Sequence, residues 1–240
     1  MKNLLPIFII TLVQKVRRYF MSEHSYVKIE QKLWFERTVD KEPNHLKMYW
    51  EDRGPNRLKL IEILLCSIDE LIFDRVEAKE IKVLEIGCFA GVNLKILEEK
   101  SKQKNIDIKF FGLEPNIEAY SFASEKLKNI VFQQGSDAQF EEFSQKYGNF
   151  DLIFVSAVFY VLDGISAKNL IVKMAISSKT IVIMDEIENC FEENTNYIRG
   201  KAFRHPYVTW LEECGFSCVA YRAPIKSRAS NGYVIAKRIL

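Results

Sequence analysis

The chain predicts an α/β protein with a mainly parallel sheet and one antiparallel edge member, and three observations carry that expectation. From residue 79 onward, apolar runs suited to buried strands alternate with segments of helical periodicity. The first run, Ile81 to Ile86, ends in glycine; a second glycine follows at Gly91, and a helical pattern starts directly after it. The chain closes on a pair of strand-like runs, Phe216–Tyr221 and Tyr233–Lys237.

The elements follow in order. Leu4 to Val13 is almost wholly apolar, and Lys15, Arg17 and Arg18 follow it. Ten apolar residues fall short of the roughly 20 a bilayer span needs. No small-x-small cleavage site follows, as a secretory signal would require. Residues 1–20 therefore read either as an interfacial helix with a basic flank or as a terminal helix that docks on its own domain or on a partner subunit. Residues 21–54 are polar and rich in aromatics, with Trp34, Phe35, Tyr49 and Trp50, and read as short helices or an ordered lid. Gly54-Pro55 opens a helix, proline being welcome in a first turn. Leu58, Ile61, Leu64, Leu65, Ile68 and Leu71 continue it at helical spacing.

Strand one spans Lys79–Gly87, and Val92–Lys102 is its helix. Lys109–Glu114 is strand two, followed by a helix over Ile117–Lys128. Ile130–Gln134 is strand three, Asp151–Ser156 strand four, and Ile165–Ser177 the next helix. Thr180–Met184 is strand five and runs into Asp185-Glu186. Tyr207–Cys214 is a helix stopped by Gly215 at its C′ position. Three parts result: an apolar and basic helix (1–20), a helical extension or lid (21–78) and an α/β domain (79–240).

The 240 residues are 48% hydrophobic, enough for one well-filled core. The net charge is only +2, and Lys and Arg are scattered among Asp and Glu. No basic stripe points to nucleic acid. Five cysteines lack metal-type Cys-x-x-Cys spacing and read as reduced thiols of a cytoplasmic protein.

Strand, tight glycine loop and helix form the layout that brings backbone close to a nucleotide-like ligand. A second apolar run, Ile108 to Leu113, ends in Glu114, where a carboxylate can take two ribose hydroxyls. The loop reads Glu85-Ile86-Gly87-Cys88-Phe89-Ala90-Gly91. It resembles the first motif of the class I S-adenosylmethionine (SAM)-dependent methyltransferases, acid-x-Gly-x-Gly-x-Gly, and departs from it where Phe89 stands at the middle glycine. A dinucleotide-binding loop would want Gly-x-Gly-x-x-Gly and an apolar residue at position 85. A buried carboxylate on strand one makes sense with a cation nearby, and SAM brings an α-ammonium and a sulfonium. Over roughly residues 80–240, the resemblance implies a Rossmann-like, seven-stranded sheet with helices on both faces.

What the resemblance implies for the site follows residue by residue. Ligands of open parallel sheets bind off the carboxyl ends of the strands. Gly87 and Gly91 would admit the methionyl part at van der Waals distance, where a Cβ would clash. Glu114 would accept both ribose hydroxyls, or else serve as a helix N-cap acid. Asp137 with the Ala138 N–H matches the family's adenine-reading pair; alternatively Asp137 caps a helix over Ala138–Tyr147. Ser156 closes strand four beside them. Family members often send a basic residue from the preceding segment to the SAM carboxylate. Arg53 is the candidate, against a solvated arginine paired with Glu51 or Asp52.

Methyl transfer from a sulfonium is an in-line displacement with a neutral leaving group, so no metal is required. A hydroxyl acceptor also needs a base. The candidates are Tyr160, Asp185, Glu186 and His205, with His205 closest to neutrality in ordinary pKa or else a helix-start residue before Pro206. The chain lacks the Asn/Asp-Pro-Pro-aromatic motif of nucleic-acid amino-methyltransferases. The expected reaction is O-methylation of a small polar acceptor, such as a sugar or related metabolite. The alternatives are a catalytically silent subunit of the same fold and an NAD-type oxidoreductase.

Overall fold

A computed structural model of the chain describes residues 32, 45–73, 80–102, 107–187, 190–198, 202–222 and 231–239. The expected helix over residues 1–20, and Trp34 and Phe35 of the expected lid, lie outside the described residues.

Two helices precede the sheet: α1 (His45–Glu51) and α2 (Pro55–Phe73). The core then alternates through β1 (Ile81–Ile86), α3 (Val92–Ser101), β2 (Ile108–Glu114), α4 (Ile117–Lys126), β3 (Val131–Gln134), α5 (Phe140–Tyr147), β4 (Phe150–Ser156), α6 (Gly164–Ser177) and β5 (Ser178–Glu186). A short hairpin, β6 (Asn196–Ile198) and β7 (Ala202–Arg204), comes before α7 (Tyr207–Glu213), β8 (Phe216–Arg222) and β9 (Asn231–Arg238).

The helix starts follow local chemistry. Pro55 sits in the first turn of α2, where its missing N–H costs nothing. Asn116 caps α4, its Oδ1 accepting from the N–H groups of Glu118 and Ala119. Asp163 caps α6 through Ser166 N–H at 2.8 Å. Gly215, at φ 82°, stops the turn after α7 as the sequence predicts.

Seven strands form one sheet in the order β3-β2-β1-β4-β5-β9-β8. Strands β1 to β5 pair in parallel, and β9 runs antiparallel to both of its neighbours. The antiparallel member is therefore not at the edge, as expected, but one place in from it. The last connection explains this: β8 takes the outer position, and β9 returns between it and β5. The β6–β7 hairpin is also absent from the sequence reading. Each of its strands has three residues, too few for periodicity to show.

The pleat sorts the residues that matter. Along β1, Ile81 and Val83 join the core cluster that also holds Leu60, Leu64 and Ile68 of α2 and Leu94 of α3. Leu84 and Ile86 face the opposite cluster, under α6 and α7. Alternation then puts Glu85 on the α2/α3 face. Glu114 and Ser156 follow the same parity as Phe110 and Phe154, which belong to that cluster. Three polar residues thus end up at the carboxyl ends of adjacent strands, on one face. Helix α2 packs into the sheet's own core and brings Arg57 to the site.

Candidate ligand site

A cavity of about 440 Å³ opens at the carboxyl ends of β1, β2 and β4, a volume typical of small-molecule sites. Glu85, Gly87, Glu114, Asp137 and Ser156, all expected at a ligand, line it. Tyr49, Asp52, Arg57 and Asn93 join them from the helices and the approach to α2.

Glu85 is 1% exposed. Its Oε1 accepts from Asn93 Nδ2 at 2.7 Å, while Glu85 Oε2 and Asn93 Oδ1 have no hydrogen-bond partner. Burial pushes the Glu85 carboxyl up to about 8, against the smaller opposing pulls of Asn93 and the Arg57 guanidinium. Two buried oxygens without donors are costly.

Glu114 is arranged differently. It is also buried, and burial raises its carboxyl to about 7. Both its oxygens are already engaged: Oε1 accepts from Asn116 N–H at 2.8 Å and Oε2 from Phe89 N–H at 2.7 Å. Each oxygen keeps a further lone pair for a ligand hydroxyl. Glu114 is not itself the cap of α4; Asn116 is.

The loop departs from a glycine-only pattern without losing its shape. Phe89 takes a positive φ of 45° at the middle-glycine position, a strained conformation for a residue of its size. Its N–H bond to Glu114 and its edge-on contact with Tyr49, 4.9 Å between ring centres, hold it there. The glycines serve the protein as much as a ligand. A Cβ on Gly87 would strike Val158, and one on Gly91 would meet Leu127 at 3.0 Å and Phe132 at 3.1 Å. Gly91 does not line the cavity; its role is packing and its φ of 73°.

Other expectations are corrected. Arg53 is exposed and donates to the carbonyls of Trp50 and Asp52, away from the cavity. Arg57, one turn further on, lines it instead, paired with Asp52 at 2.6 Å. Ala138 stands off the cavity, its N–H donating to Ser136 Oγ at 3.2 Å. Asp137 does line it, and the helix that follows starts only at Phe140, with no side-chain cap.

Three of the four expected catalytic groups stand off the cavity wall. His205 is 0% exposed, and neither it nor Tyr160 nor Asp185 lines the cavity. The carbonyl of Phe159, 2.9 Å from His205 Nε2, can only accept, so Nε2 carries the hydrogen. Nδ1 then accepts from Thr195 Oγ1 at 3.0 Å. Burial pulls the imidazole down to about 4, so it is neutral and structural. Asp185 is buried and accepts from Phe159 N–H at 2.9 Å. Tyr160 lies on the same turn, half-buried. Glu186 ends β5, and its side chain is outside what is described.

A second cavity, about 260 Å³, adjoins the first and shares Asp52, Arg57, Asn93, Ser156 and Met184 with it. Sequence reasoning missed Asn93, Arg57 and Asp52. Asn93 had a signal, eight residues after Glu85 and in the first turn of the next helix. For Arg57 and Asp52 no local pattern distinguishes them from surface charge.

Among the described residues, no group of three His, Cys, Asp or Glu is placed to hold a metal. No helix among them is long and apolar enough to cross a membrane.

The strand order is that of the class I SAM-dependent methyltransferase fold, and the chain has that fold. The magnesium protoporphyrin IX methyltransferase of Synechocystis PCC 6803 with bound SAM superposes with a TM-score of 0.61 at 13% identity, covering 91% of this chain and 98% of that one. The plantazolicin methyltransferase BpumL, in complex with a triazolic desmethylPZN analog and S-adenosylhomocysteine, gives 0.58 at 14% identity, covering 91% of this chain and 100% of that one. A pericyclic reaction enzyme gives 0.56 at 14% identity, covering 83% of this chain and 54% of that one. No family model matches the sequence, and no curated protein is similar to it in sequence.

Proposed function

We propose that the protein is a SAM-dependent methyltransferase acting on a small-molecule acceptor. The observation that carries this reading is the cavity at the carboxyl ends of β1, β2 and β4, walled by the glycine loop and by the carboxylate residues Glu85 and Glu114. Two acids at neighbouring strand ends suit a ligand that carries a cation and ribose hydroxyls together, and SAM brings an α-ammonium and a ribose. A nicotinamide dinucleotide offers no such group there.

The other residues fit the same ligand. Arg57 bonds to the described residues through Nη1, leaving the rest of its guanidinium for the α-carboxylate. Glu114 takes the ribose hydroxyls on its spare lone pairs. Asp137 reads the adenine end, and Gly87 and Ser156 form the floor. When bound, SAM supplies a methyl group on a positively charged sulfur, so that the departing thioether is neutral. Tyr49, Phe89 and Val158 give the cavity an apolar part of its wall. Alignment in such a site provides most of the rate.

The acceptor is a small polar metabolite methylated on oxygen, such as a sugar, as the likeness of the first motif implies. Its proton goes to Asp52 in place of His205, which does not line the cavity. Asp52 is the carboxylate that lines both cavities. The protein acts in the cytoplasm. A second reading, a subunit that binds SAM without turnover, draws on the absence of Tyr160, Asp185 and His205 from the cavity wall.

Titration calorimetry tests the proposal. SAM binds near 1:1 without metal, and NAD does not bind. No affinity for SAM or S-adenosylhomocysteine below millimolar would overturn it. Release of S-adenosylhomocysteine across a panel of hydroxylated acceptors then separates the enzyme from the silent subunit.

A further inference from the structure

Two cavities meet at the ends of β4 and β5, and the residues that suit the cofactor line only one of them. Glu114, Asp137 and Gly87 belong to the larger cavity alone. The smaller takes Asn56 and Leu60 of α2 into its wall, which the larger does not. Ser156 and Met184 are shared, and they are direct partners across β4 and β5. The α2 wall is fixed in place. Leu60 is fully buried in the core, and the Asn56 carbonyl accepts from Tyr233 Oη of β9 at 2.8 Å. The smaller cavity, about 260 Å³, falls just under the roughly 300–1,000 Å³ of sites that enclose a drug-sized ligand. It suits one small ring and not a sugar joined to a nucleotide.

Charge narrows the class of occupant further. Among the described residues that line the smaller cavity, Arg57 is the one cation, and its Nη1 stands 2.6 Å from Asp52 Oδ2. Asp52 Oδ1 accepts from Gly54 N–H at 2.8 Å, so the positive end of α2 already has an anion beside it. In the cofactor reading, the rest of the Arg57 guanidinium goes to the α-carboxylate. No positive charge is left over for a phosphate, and an unpaired anion is expensive to enclose. The wall offers hydrogen bonding from Asp52 and Ser156, and apolar surface from Leu60 and Met184. A ring with hydroxyls on one edge and C–H groups on the other matches it.

We propose that the smaller cavity is the acceptor chamber, and that it takes a free, uncharged ring of hexose size and rejects phosphorylated and nucleotide-linked sugars. The inference rests on the cofactor reading above and adds the acceptor's place, size and charge to it. The ring lies against Leu60 and Met184, with its hydroxyls toward Asp52 and Ser156. Ser156 and Met184, at the junction, bring it next to the larger cavity.

The test uses the full chain saturated with S-adenosylhomocysteine and labelled with carbon-13 at its methionine methyl groups. The Met184 signal is assigned through Met184→Leu. The probes are D-glucose, D-galactose and L-rhamnose, against glucose 6-phosphate and UDP-glucose. At least one free sugar should shift the Met184 signal, with a Kd in the millimolar range or tighter. The two charged probes should bind about tenfold more weakly than the best free sugar, or not at all. Asn56→Trp puts bulk into the smaller cavity from a residue that the larger does not share. It should weaken the free sugar by about tenfold or more and change S-adenosylhomocysteine affinity by less than about twofold.

No Met184 shift from any free sugar would overturn the chamber, while S-adenosylhomocysteine binding would leave the cofactor reading intact. A charged probe that binds as well as the free sugars would overturn the uncharged class. Undiminished sugar binding in folded Asn56→Trp would move the acceptor out of the smaller cavity. The wild-type shift and its charge preference decide the matter even if that variant does not fold. Failure of S-adenosylhomocysteine to bind wild type would remove the cofactor reading and the chamber together.

Discussion

Two carboxylates stand at the ends of neighbouring strands, and the protein treats them in opposite ways. Glu114 is built into the loop: both its oxygens hold backbone N–H groups, one of them from the strained Phe89. Glu85 is left incomplete, with one oxygen and its neighbour's amide oxygen lacking donors. One end of the cavity is therefore fully hydrogen-bonded within the protein, and the other is not. The difference teaches that equal burial does not mean equal function. A satisfied buried acid shapes a site, while an unsatisfied one stays costly to bury.

The largest expected effect breaks the finished end. Glu114→Ala should weaken SAM binding by roughly 2–4 kcal/mol, the loss of up to two charge-assisted hydrogen bonds. An acid at an exposed strand end would leave the fold intact on removal, but Glu114 is 5% exposed and ties two loop amides. Each orphaned amide costs a further 1–3 kcal/mol or so, so thermal melting of the unliganded variant should drop as well. A variant that binds and melts like wild type would show that neither role is real.

His205 belongs to the same finished category, off the cavity wall. It links the residues before α7 to the turn at Phe159, whose neighbours Val158, Val161 and Leu162 line the cavity. His205→Ala should cost about 2–4 kcal/mol of stability, from a lost buried side chain and the unpaired carbonyl of Phe159. It should not move the pH dependence of turnover, as a general base would. The sign of its own titration is clear. The folded imidazole is held down at about 4, below its unfolded value near 6.5. Its contribution is present above about 6.5 and is lost as pH falls toward about 4. Acid melting curves of wild type and His205→Ala should therefore converge.

The parts legible in the sequence were those fixed by period and by glycine. Strand runs such as Ile81–Ile86 and the Gly54-Pro55 helix start are local signals, and so were Glu85 and Glu114 at strand ends. What the sequence hid depends on distant packing. Nothing near Arg53 or Arg57 says which faces the cavity, because that is set by how α2 rotates its apolar side onto the sheet. Nothing near His205 says it is buried, because its partners Thr195 and Phe159 lie 10 and 46 residues away. The arginine pair offers a direct test. Arg57→Ala should lose about 1.5–3 kcal/mol of SAM affinity, one charged hydrogen-bonding partner. Arg53→Ala should lose nothing measurable by calorimetry. The reverse result would restore the expectation that Arg53 reaches the carboxylate.

The smallest effect sharpens the unfinished end, and its sign is opposite to the others. Filling Glu85's place with a neutral side chain should stabilise the empty protein while harming its binding, because sites held ready for a ligand store unfavourable energy. The folded carboxyl lies at about 8 against an ordinary 4.5. A raised folded value contributes stability fully present below about 4.5 and lost as pH rises through about 8. Empty wild type should therefore soften across the neutral range on account of Glu85, and Glu85→Gln should not. Near pH 8 the variant should exceed wild type by about 1–2 kcal/mol, allowing for the amide's own unmet hydrogen bonds. Melting both proteins from pH 5 to 9 without ligand reads this directly. Parallel curves would mean that Glu85 is ionised and satisfied in the empty protein, and the contrast between the two carboxylates would collapse.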